Sequence, residues 1–63
     1  MQALQNEFAS MAEARAFFLK KGYVSKSLYY TEHGDAYIME DAQKKAVALE
    51  KTGFLKVEVF YID

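Results

Sequence analysis

Two stretches, "LKKGYVSKSLYY" at 19–30 and "EKTGFLKVEVFY" at 50–61, follow the same pattern of charged helix end, glycine, aromatic residue and alternating apolar run. Superposing Gly22-Tyr23 on Gly53-Phe54 places Val24, Leu28, Tyr29 and Tyr30 over Leu55, Val59, Phe60 and Tyr61. Backwards, Met11 meets Ala42, Ala16 meets Val47, Phe18 meets Leu49, and Ser10 meets Asp41, two residue types suited to capping a helix N-terminus. Each copy reads as cap, helix, glycine, aromatic, strand. Glycine ends a helix readily because it enters the left-handed conformation without a Cβ clash.

This spacing predicts helix one over 11–21, opened by the capping box "SMAE" at 10–13. It predicts helix two over 42–52, with Ala42, Ala46 and Leu49 as an apolar stripe and a lysine-rich back. Leu55, Val57, Val59 and Tyr61 alternate with period two, the mark of a half-buried strand, and Val24, Leu28 and Tyr30 repeat that phase. "TEHGD" predicts a hairpin with Glu32 and His33 in a type I turn and Gly34 in a bulge; "AYIME" at 36–40 is the returning strand.

The expected fold is therefore a single α+β domain over 1–63, two helices on one face of a three- or four-stranded, mostly antiparallel sheet. A strand near 3–8 would complete βαββαβ, the split βαβ ferredoxin-like arrangement. The alternative, αββαβ, extends helix one backwards, because Leu4, Phe8 and Met11 also stand at helical spacing.

"EARAFFLKKGYVSKSLYY" resembles the helix–Gly–aromatic–strand segment late in GNAT acetyltransferases, over less than a third of the chain and without that family's Gly-rich pyrophosphate loop. "FASMAEARAFFLKKGY" resembles the first half of SPOR peptidoglycan-binding domains, which are duplicated βαβ folds, but the second half lacks the matching Gly-containing start. Both are read as the shared geometry of an α/β unit and not as kinship.

Chemistry is sparse. No cysteine is present, which removes disulfides and thiolate metal sites. His33, between Glu32 and Gly34-Asp35, is the single histidine; a turn explains these residues better than a zinc site, which takes three or four ligands. Glu40 and Asp41 suit the start of helix two, where carboxylates complement the helix dipole, and Lys20, Lys21, Lys44, Lys45 and Lys51 suit helix ends and solvated faces. No nucleophile elbow, phosphate loop or HExxH motif occurs, so no enzyme, cofactor, metal or small-molecule ligand is expected. Eight lysines and arginines against nine carboxylates give no field to gather phosphates, so nucleic acid is disfavoured. "MQALQNEFAS" lacks a positive leader and apolar h-region, and no run approaches the roughly 18 apolar residues of a membrane span, so a soluble, cytoplasmic protein is expected.

The informative surface is the sheet face away from the helices. With Val24, Leu28, Leu55, Val57 and Val59 turned inward, alternation sends Tyr23, Tyr29, Tyr37, Met39, Phe54, Phe60 and Ile62 outward. A chain this short buries only about 60% of its unfolded surface and gains from a partner. The expectation is a non-enzymatic interaction module, self-associating as a homodimer or binding a target protein through this face. Accessory regulators and inhibitors, including those of phages and mobile elements, form the class that such short chains suggest. The alternative is a single-stranded nucleic-acid binder that stacks bases on Tyr29, Tyr37 and Phe60.

Overall fold

The structure, a computed structural model, describes residues 7–62. Strand β1 (Glu7–Phe8) leads into helix α1 (Met11–Lys20), which is followed by β2 (Val24–Thr31), β3 (Gly34–Glu40), β4 (Ala46–Gly53) and β5 (Lys56–Ile62). All neighbours pair antiparallel, in the spatial order β1-β5-β4-β3-β2. Strands β2 to β5 form a meander, and α1 crosses one face of it to join strands at opposite edges.

The expected second helix at 42–52 does not form, and the architecture of two helices on a three- or four-stranded sheet is corrected to one helix on five strands among the described residues. Residues assigned to helix two at 42–52 form instead a turn and the central strand, β4. The reason lies in packing. As a helix, Ala42, Ala46 and Leu49 would bury one large side chain; as a strand, Val47 and Leu49 both become fully buried beneath α1. Each such burial is worth about 1.5–3 kcal/mol. Helix preferences of Ala, Lys, Glu and Leu over Val and Gly amount to less than about 1 kcal/mol per residue, and here they lose.

Asp41 caps, as its chemistry predicts, but it caps a turn. Its Oδ1 accepts hydrogen bonds from the backbone N–H of Gln43 and of Lys45, each at 2.9 Å. The Lys44 N–H donates to the Asp41 carbonyl, and the Asp41 N–H to the Lys45 carbonyl. Lys44 itself sits at φ 70°, the left-handed position of a three-residue hairpin loop. The chain is therefore turned back within this tight loop.

Helix α1 follows its local signals. The Ser10 side chain accepts the Glu13 N–H at 3.2 Å. At the other end Gly22 adopts φ 99°, the Gly22 N–H donates to the Leu19 carbonyl, and the Tyr23 N–H to that of Phe18, which is the Schellman pattern. The Tyr23 ring then stands edge-on to Phe18, with centroids 5.0 Å apart. Glu32 and His33 form the predicted turn and Gly34 takes φ 126°. The second glycine behaves differently: around Gly53 the positive φ, 54°, falls on Leu55, in a hairpin between two strands. The repeat is thus one of sequence and not of structure. A strand does precede α1, at Glu7–Phe8; the rest of the 3–8 segment lies outside the described residues.

The core lies between α1 and the sheet. Ala14 and Phe18 descend from the helix onto Met39, Val47, Leu49, Val57 and Val59, with Phe8 closing the β1 side. Phe8, Phe17, Phe18 and Tyr23 form a chain of tilted and edge-to-face rings at 5.0–6.4 Å. Among the described residues no helix is long and apolar enough to cross a membrane.

Candidate interaction face

Strand register decides which side chains look away from α1. Met39 pairs with Val47, Leu49 with Tyr37 and Val59, and Lys51 with Val57, so these lie on the helix side. The opposite side carries three cross-strand rows. The first is Val24, Glu40, Ala46 and Ile62; the second is Ser27, Ile38, Ala48 and Phe60; the third is Tyr29, Ala36, Glu50, Glu58 and Glu7. No described element lies over this side.

The seven residues expected on this face divide. Tyr29, Phe60 and Ile62 occupy it. Met39 is fully buried under α1, and Tyr37 lies on the same side with the Arg15 guanidinium 4.6 Å above its ring. Tyr23 caps the helix end against Phe18 and belongs to the core. Phe54 sits at the tip of the β4–β5 turn, 88% exposed. The inward set is corrected too: Val57 and Val59 are buried, whereas Val24, Leu28 and Leu55 are exposed.

Two structural causes account for the redistribution. A bulge between Ser25 and Ser27 inserts Lys26 without a partner, so the phase of β2 reverses, and Val24 and Leu28 leave on opposite faces. In β3, the phase is anchored by β4, a strand that the sequence reading did not contain. Sequence reasoning also missed Val24, Ile38, Ala46 and Ala48 as members of the open face; a period-two reading of 46–49 could have found the alanines.

The face has a relief. Ala46 and Ala48 form a low floor along β4, with Ile38 on one flank and Phe60 and Ile62 on the other. Ala36 and Ala48 are buried, and Ala36 lies between Tyr29 and Glu50, whose side chains are hydrogen-bonded to each other. Phe60 and Ile62 remain 44% and 42% exposed.

One end of this trough is polar. The Tyr29 hydroxyl donates to Glu50 Oε2. Burial, then that hydrogen bond and the neighbouring charge, push the Tyr29 phenol up to about 12. Thr52 Oγ1 donates to Glu58 Oε2 at 2.8 Å, and Lys56 Nζ stands 3.5 Å from Glu58 and 3.6 Å from Glu7. The Thr52 hydroxyl, with help from Lys56, holds the Glu58 carboxyl below its ordinary range against the opposing effect of desolvation.

Of the other candidates, His33 lies in the β2–β3 turn 3.5 Å from Glu32, both exposed. Among the described residues no group of three or more His, Cys, Asp or Glu is placed to hold a metal ion. A hollow of about 200 Å³ opens on the helix side between Ser10-Met11 and Phe54-Leu55, above Val57. Its polar lining residues are Ser10 and Lys51. No protein family, no curated protein and no solved structure matches this chain.

Proposed function

We propose that this protein is a contact module that regulates or inhibits by docking its open sheet face on a protein surface. One observation supports the reading above others: Ile38, Phe60 and Ile62 flank an alanine floor on a sheet side that no described element covers, with Val24 beyond Glu40 on the edge strand. Exposed apolar residues scattered singly need no explanation; a contiguous group bounded by charge marks an interaction surface. Among the described residues α1 covers one side of the sheet, so the other side gains from a second layer. Base stacking is a weaker reading. Phe60 and Tyr29 stand beside Glu50 and Glu58, which repel a phosphate backbone.

Photo-crosslinking tests the proposal. A benzophenone amino acid at Phe60 or Ile62 is expected to give one discrete adduct in the native host, either a dimer or a complex with a second protein. The same group at Leu19, exposed on the outer side of α1, is expected to give none. Adducts of equal yield from all three positions, or none from Phe60 and Ile62, would remove the open face from the function.

A further inference from the structure

We infer that the open face receives a lysine- or arginine-bearing amphipathic helix of a different protein, and not a second copy of this chain. The inference rests on the docking role proposed above and names the partner's chemistry. Charge carries it. Glu7, Glu40, Glu50 and Glu58 occupy register positions on this face, and Lys56 is set between Glu7 and Glu58. Among the described residues, Glu40, Glu50 and Glu58 set against Lys56 leave a negative surplus on this face. Tyr29 supplies Glu50 with a hydrogen bond but no charge.

Three of these carboxylates stand in one row across β4, β5 and β1, where directly opposed Cβ atoms lie about 4.5–5.5 Å apart. Stacking two copies face to face, about 10 Å between sheets, encloses the same surplus twice within one Debye length. Rotation of one copy on the other moves the rows but cannot change the sign of either. Removing a surplus of like charge from water is costly, so the face is built against itself. A cationic partner reverses the sign of every one of these terms.

The relief gives the partner a shape. The Ala46–Ala48 floor runs along β4 and lets a helix approach closely between Ile38 on one side and Phe60 with Ile62 on the other. Glu40, paired with Ala46, marks one end, and Glu50 the other. Four strand residues separate those two rows, about 13–14 Å at 3.4 Å each. A helix rises 1.5 Å per residue at 3.6 residues per turn, so cations seven residues apart share one face about 10.5 Å along the axis, and their long side chains reach out to both ends.

The test uses the full chain, labelled with ¹⁵N, and two synthetic helical peptides with one apolar stripe. One carries lysines seven residues apart, flanking that stripe, and the other carries glutamates at the same places. The lysine peptide is expected to shift amides at Ile38, Ala48 and Phe60 and to bind about tenfold or more tightly than the glutamate peptide. Glu40→Gln with Glu50→Gln is expected to erase most of that difference and flatten its salt dependence; glutamine keeps an acceptor for Tyr29. Equal binding of both peptides would overturn the inference yet leave the docking role standing. So would a dimer in sedimentation that Phe60→Glu dissolves. A monomer at every concentration whose open face responds to neither peptide would overturn both.

Discussion

Lys44→Gly separates the observed topology from its helical rival by sign. In the observed hairpin Lys44 is exposed at φ 70°, and its N–H donates to the Asp41 carbonyl, a bond that glycine keeps. The left-handed region costs a residue with a Cβ about 1–2 kcal/mol. Glycine returns about 0.5–1 kcal/mol of that through its freer unfolded chain. The net expectation is a gain of about 0.5–1 kcal/mol. Were 42–52 a helix, the same substitution would cost about 0.8–1 kcal/mol. For 63 residues the unfolding entropy near 60 °C is about 0.13 kcal/mol/K, so the hairpin predicts a Tm higher by about 4–8 °C and the helix a Tm lower by about as much. Thermal unfolding followed by far-UV circular dichroism reads the difference, and Lys44→Ala, which keeps the Cβ, serves as control with no gain. A fall in Tm for the glycine variant would refute the hairpin and with it the five-stranded sheet.

Other consequences are as direct. Leu55→Gly relieves the second left-handed residue, φ 54° on a side chain 64% exposed, and is expected to raise the urea midpoint by an amount equivalent to about 0.5–1 kcal/mol. Phe18→Ala empties the centre of the ring chain and is expected to cost about 3–5 kcal/mol. A chain of this length holds roughly 3–9 kcal/mol in total, so amide dispersion in an NMR spectrum should largely collapse; a cooperative transition within about 1 kcal/mol of the parent would contradict the packing. Tyr29, raised to about 12 in the fold against about 10 unfolded, favours folding in its protonated form. Its contribution is complete below pH 10 and is lost as pH climbs through 12, about 1 kcal/mol after solvent screening. Urea midpoints at pH 9 and 11.5 should differ less in Tyr29→Phe.

Much of the local structure was legible, and for one reason: a cap or a turn is decided by atoms within a few residues. Ser10 reaches the N–H three residues ahead, Gly22 unwinds the helix, and Gly34 closes the first hairpin whatever the rest of the chain does. Asp41 shows the limit of that logic. Its carboxylate accepts N–H bonds at a turn just as it would at a helix start, so the residue announces a change of direction without saying into what.

The open face was legible in part. Phe60 and Ile62 follow from the alternation that begins at Val57, and that alternation is unbroken in β5. Tyr37 and Met39 did not follow, because a strand's pattern names two sides but not which of them a helix will cover. In β2 the Lys26 bulge reverses the phase halfway, and nothing in "VSKSLYY" marks it.

Taken alone, the chain determined where α1 starts and stops, where the first hairpin turns, and that its last strand has two unlike sides. Long-range pairing decided the rest: β4 became a strand because β3 and β5 both needed a neighbour, and α1 chose the side on which Val47 and Leu49 could be buried. The physical reason is one of scale. Local preferences differ by tenths of a kcal/mol per residue, whereas burying a large side chain is worth several times that, and only the assembled sheet shows which side chains it can bury.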